Sequence, residues 1–275
     1  MLICLQTSPV QTALMLSAAT ATLCGILGLL TLLRGQVFAG HALADVSSAG
    51  GAGGLLFGLS PFLGFLLFGI AGVGVLNILQ SRHHAARSEE AGILLGAGLG
   101  FTALLLHFCL THHGTSGATQ AVMFGAMFSA SPTMVIWAWI FTIICLCALA
   151  IIARPLLLSS LAPELARISG VPVKFLGLFF LFLLAVGVTL AAMTVGAILA
   201  TALLVGPPAI SLRLTNNILS AMMVSIVTGL TACWGGIALS YISYDWIPGH
   251  TWPVSFFIVT LLLSIYLASH IRLRA

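Results

Sequence analysis

From Phe175 to Ile210 the chain runs 36 residues without one charged side chain. A helix crossing a bilayer takes about 20 apolar residues, fewer if it is short or bent, so this run has room for two. Similar apolar runs separate the other charges, and only 5% of the 275 residues are charged while 60% are hydrophobic. Soluble domains carry about 25% charged residues, so this chain cannot cover a solvated surface. The runs are continuous rather than alternating, which selects helices over barrel strands. The expectation is an all-α integral membrane protein, a single transmembrane domain over 1–275, with lipid as its surroundings.

The nine basic residues fix how the chain threads. They are Arg34, Arg82, Arg87, Arg154, Arg167, Lys174, Arg213, Arg272 and Arg274, and cytoplasmic loops collect such residues. One topology places all of them on that side. It has about nine transmembrane helices: 10–33, two within 35–80 hinged near Leu59-Ser60-Pro61, then 91–110, 134–153, 175–190, 191–209, 217–240 and 252–270. The N-terminus lies outside and the C-terminus in the cytoplasm. The first residues, MLICLQTSPV, hold no basic residue and no clear cleavage site, so no removable signal peptide is expected. The bases form no patch, so the net charge of +4 is no nucleic-acid signal. The six cysteines show no metal-knuckle or CxxC spacing and read as small apolar packers.

The acids sort as clearly. Glu89, Glu90 and Glu164 fall in cytoplasmic loops and Asp245 in an outer one, which leaves Asp45 as the acid inside the membrane. His41 is the histidine expected well inside it, four residues before Asp45 in GHALADVSSAG. That spacing puts both side chains on one helical face. A carboxylate at mid-membrane costs about 2.5–3.5 kcal/mol on insertion scales, so it ordinarily faces a pathway or the bundle interior. Carboxylate plus neutral imidazole is also a ligand set for Zn2+ or Mn2+. The plainer alternative is a hydrogen-bonded pair that locks helix packing. Two ligands make half of a tetrahedral site, so further ligands, waters or a symmetry mate are needed. The glycines of SSAGGAGG, in the same helix, read as close helix packing rather than as pore lining.

In the cytoplasmic loop 154–174, Pro163 suits a first helical position, Glu164 favours the helix N-terminus, and Gly170 with Pro172 ends the element. A short amphipathic helix is expected at about 163–169. Its ELARISGV stretch resembles the E-x-A-R-x-x-G-V segment of the permeases of ABC-type zinc and manganese importers. The segment VGAILATALLVGPPAISLRLT (195–215), the GHALADVSSAG segment and Phe124-Gly125 are similar to that family's patterns in the same order. Two departures stand out. The family's Asp-then-His order is reversed at His41 and Asp45, and its Pro-Ala-Ala becomes Pro207-Pro208-Ala209, which is expected to break the helix near the inner face.

The resemblance implies a homodimer of this subunit in the bacterial plasma (inner) membrane. It also implies two cytosolic ABC ATPase subunits gripping the loop helix through Glu164, Arg167 and Gly170, and an extracytoplasmic metal-binding protein. The sequence itself holds no GxxxxGK(S/T) phosphate loop, so ATP hydrolysis falls to a partner and the chain is not an enzyme. No GxSxG elbow is present either. His112, His113 and His250, with Asp245, are candidates for receiving metal at the outer mouth, although exposed loop histidines are common without such a role. Met193 and Thr194 read as packing residues and His83-His84 as a solvated turn. The expected function is the permease subunit of an ATP-driven importer of a divalent transition metal, zinc ahead of manganese or iron, with no permanently bound cofactor. The rival is an ion-gradient-coupled secondary carrier using His41–Asp45 as a proton relay, but the matching repeat halves usual in such carriers are missing.

Overall fold

The structure is a computed structural model that describes residues 8–80, 87–113, 116–246 and 252–272. Eleven helices account for nearly all of them: α1 (Ser8–Leu33), α2 (Val37–Leu56), α3 (Pro61–Gln80), α4 (Arg87–His113), α5 (Ser116–Phe124), α6 (Pro132–Leu161), α7 (Pro163–Ile168), α8 (Val173–Val195), α9 (Ala197–Leu214), α10 (Ile218–Trp246) and α11 (Val254–Arg272). Six of them, α1, α3, α4, α6, α8 and α10, are long and apolar enough to cross a membrane. Of the other long helices, α2 carries His41, Asp45, Ser47 and Ser48, while α9 and α11 are shorter.

Local chemistry explains several boundaries. Ser60 caps α3 by accepting the Leu63 N–H at 3.3 Å, and Pro61 takes the first helical position, where its missing N–H costs nothing. The expected hinge near Leu59-Ser60-Pro61 therefore lies where α2 gives way to α3. Pro132 and Pro163 likewise open α6 and α7, there without a side-chain cap.

Three boundaries depart from expectation. The run 175–209 divides at Gly196, five residues later than read, because composition shows no dip there and only the backbone at φ +101° marks the break. The segment THHGTSGATQ is not a plain loop, since α4 reaches His113 and α5 begins at Ser116. The stretch 154–174 is mostly helical, α6 continuing past Arg154 and Pro155 to Leu161.

The expected break at Pro207-Pro208 is absent, and α9 continues through both prolines to Leu214. Each ring removes one N–H from the ladder, but the helix is held from outside. The Leu204 carbonyl, which position 208 would otherwise bond, abuts α1 at Gly28, where a Cβ would have no room. The Ser211 hydroxyl donates to the Pro208 carbonyl at 2.8 Å.

Helices α1 and α8 are the most enclosed of the crossing helices. Around α1 lie α6, α8, α9 and α10, while α2 is flanked by α3, α4 and α8. The glycines of α2 act as packing surfaces. Gly50 lies against Gly64 of α3 backbone to backbone, and the Phe65 ring covers Gly51. Large apolar side chains point outward, as Ile93, Phe101 and Leu104 do on α4, which is where lipid would be.

Candidate metal centre

Helix α2 carries both expected ligands in its interior. His41 Nε2 and Asp45 Oδ2 are 3.8 Å apart, an ion-pair distance too long for a hydrogen bond. The Asp45 side chain is 2% exposed and that of His41 33%. His41 Nδ1 and Asp45 Oδ2 are buried with no hydrogen-bond partner. The pair approaches through His41 Nε2 at ion-pair distance, a geometry that both a packing pair and a cation-holding pair fit. Buried polar atoms left open in this way are costly.

What the pair leaves free, the backbone around it does not. Ser48 Oγ donates to the Asp45 carbonyl at 2.7 Å, and Thr102 Oγ1 of α4 reaches the same oxygen at 3.2 Å. Ser48 and Thr102 also bond each other at 2.9 Å. On another flank Ser47 bonds Thr189 of α8 at 3.2 Å, and Gly69 of α3 leaves room for both hydroxyls. Gly98 of α4 is seated against the backbone of Asp45 and Val46. The helix is thus pinned on three sides at the level of the acid. Sequence reading missed Gly69, Gly98, Thr102 and Thr189. The one available signal was a threonine in the otherwise apolar middle of α4, which is weak, because hydroxyls within membrane helices often bond their own backbone.

The remaining histidine candidates are described only in part. His112 and His113 belong to the last turn of α4, while His250 lies outside the described residues. Among the described residues no three His, Cys, Asp or Glu side chains come together as a metal-binding group. One chain therefore offers two candidate ligands, which would fit a doubly charged ion only as part of a larger site. A cavity of about 800 Å3 opens at the far end of α2, lined by Leu55, Pro61, Phe65, Val122, Trp137 and Met193 among others. His41 and Asp45 do not line it. Met193 faces that cavity, and Thr194 turns its hydroxyl back onto the carbonyls of Leu190 and Ala191. Glu164 and Arg167 of α7 are both exposed and stand 3.8 Å apart, and Gly170 follows with φ +74°.

A model of the ABC 3 transport family matches residues 6–272. The chain belongs to that family. Its relatives include the manganese transport system membrane protein MntC of Listeria monocytogenes, 27% identical over 238 residues, covering 86% of this chain and 84% of that one. The chelated iron transport system membrane protein YfeD of Yersinia pestis is 25% identical over 234 residues, 84% of this chain and 76% of the relative. The fold matches a chain of PsaBC from Streptococcus pneumoniae in complex with Fab, with a TM-score of 0.84 at 23% identity over 98% of this chain and 93% of that one. As an ABC 3 member with six long apolar helices, the chain is a multi-pass permease of the plasma membrane.

Proposed function

We propose that this chain is the membrane-spanning subunit of an ATP-driven importer of a divalent transition metal, with manganese the first cargo and iron the second. The observation that carries the reading is Asp45, a carboxylate 2% exposed in a membrane helix with one oxygen open and an imidazole one turn away. Leaving a charge there is costly unless a counter-charge visits. The order of cargoes departs from the expectation of zinc ahead of manganese or iron, because the relatives described above are named for manganese and iron. Membership in an ABC family also draws the reading away from a gradient-coupled carrier.

The proposed assembly has nine crossings per chain, the N-terminus outside and all bases on the cytoplasmic side. Arg34 at the end of α1 meets Ser159 and Ser160 near the end of α6, in keeping with a shared basic end. Arg213 at the end of α9 meets Tyr266 and His270 of α11, which agrees with the same arrangement. Two copies pair so that each lends its His41 and Asp45 to one ion, making up the ligands that a single chain lacks. An extracytoplasmic binding protein delivers the ion. Two partner ATPases grip α7 and close on ATP, and that closure opens the inner side.

The test is uptake of radioactive manganese by cells expressing the chain with its ATPase and binding protein, with iron and zinc as competitors. Uptake should need ATP, fall with excess iron more than with excess zinc, and vanish in Asp45→Asn. ATP-independent uptake, or full uptake in that variant, would overturn the proposal.

A further inference from the structure

Among the described residues, three side-chain atoms are buried without a hydrogen-bond partner: His41 Nδ1, Asp45 Oδ2 and Glu90 Oε2. Two belong to the pair on α2. The third is on α4, the helix whose Gly98 and Thr102 hold α2 at Asp45.

The register between these helices places Glu90. Gly98 meets Asp45 and Val46, Thr102 meets Asp45 and Ser48, and Leu105 meets Gly53. Rising numbers on α4 pair with rising numbers on α2, so the two run in the same direction. Glu90 stands eight residues before Gly98, roughly 12 Å down the axis at 1.5 Å per residue. His41 stands four residues before Asp45, roughly 6 Å down. Along the bundle axis Asp45, His41 and Glu90 therefore stand at successive levels towards the end where α1 finishes and the basic residues gather, with Glu90 on the face of α4 turned about 80° from Gly98.

Position in the first turn of α4 favours a carboxylate at Glu90 but does not account for its burial. A helix N-terminus favours a carboxylate, and Glu89 supplies one while remaining exposed. Glu90 is 9% exposed, and among the described residues its Oε2 has no hydrogen-bond partner. A carboxylate enclosed and left open is costly in a soluble core and worse at a membrane boundary.

We propose that Glu90 is a second station for the transported cation, one step inward of the His41–Asp45 pair. This rests on the reading of that pair as the transport site. Cation and Glu90 meet after the ion leaves His41, and the carboxylate lowers the barrier between the enclosed pair and the inner mouth. Glu90 then governs how fast the ion leaves rather than how tightly it is first taken.

The experiment has two arms, both on the full-length chain. In manganese uptake with the ATPase and binding protein present, normalised to inserted permease, Asp45→Asn should abolish transport. Glu90→Gln should lower the maximal rate roughly tenfold while the half-saturating concentration moves less than about twofold, the signature of a lost step after binding. Glu90→Asp, which keeps the charge, should recover part of the rate. In equilibrium dialysis of purified chain in lipid discs at raised manganese, Asp45→Asn should retain a binding component that Asp45→Asn with Glu90→Gln lacks. A wild-type maximal rate in Glu90→Gln, or equal manganese binding by the single and double variants, would overturn the second station alone. Uptake surviving Asp45→Asn would instead overturn the transport site.

Discussion

Gly98→Ala is the sharpest probe of how the site is held. A Cβ at Gly98 would lie 2.8 Å from the Val46 nitrogen and 3.0 Å from the Asp45 carbonyl carbon, both backbone atoms. Ordinary contact begins near 3.4 Å, so α2 must retreat from α4 by the difference, 0.6 Å. That movement is small for a helix pair but large for a group proposed to hold a metal, since coordination distances are held to within about 0.2 Å. Overpacking of this kind costs about 1–3 kcal/mol. On the same helix, Gly96 and Gly100 have nothing within 4 Å of a built Cβ, so alanine there introduces no clash and removes a poor helix former. The assay pairs thermal melting of the purified chain with manganese uptake for all three alanine variants. Gly98→Ala should melt lower and lose most of its uptake, while Gly96→Ala and Gly100→Ala should match or exceed the wild type in melting and retain uptake. If Gly98→Ala behaves like Gly100→Ala in both readouts, α4 does not set the position of Asp45.

Three further outcomes follow from other parts of the structure. Gly50→Ala should lower the melting temperature, since its Cβ would enter the Gly64 backbone, whereas Gly53→Ala meets only a Leu105 methyl at 3.6 Å and should leave it unchanged. Substituting Glu164 or Arg167 on the exposed α7 should leave membrane insertion intact but separate ATP hydrolysis from uptake, read as hydrolysis per ion carried in reconstituted vesicles. Ser255→Ala should destabilise the chain by about 1–3 kcal/mol, because its hydroxyl serves the carbonyls of both Phe124 and Val195 at 2.8 Å, and melting of Ser255→Ala against Ser255→Thr measures it.

The sequence made the helical membrane class legible because charge scarcity and span length are one-dimensional properties. Asp45 was legible for the same reason, as the one acid with no basic residue or polar loop beside it. The hidden features depend on packing between helices remote in sequence. Nothing local to Gly98 or Thr102 says that they touch Asp45, 53 and 57 residues earlier in the chain. Glu90 read as an ordinary loop acid because its burial comes from the fold and not from its neighbours. Pro207-Pro208 misled for the complementary reason. A proline pair is a local stop signal, and the contacts that keep α9 continuous come from α1.

Where α8 passes to α9, Gly196 at φ +101° is seated against the backbone of Met123 and Phe124, and Gly125 at φ +85° against that of Thr194 and Val195, so neither has room for a side chain. Ser255 closes the junction from α11. A methyl at either glycine would therefore collide with the main chain of the segment opposite, so the corner tolerates a side chain at neither position. Only a rebuilding of the whole corner, with its serine, would release them.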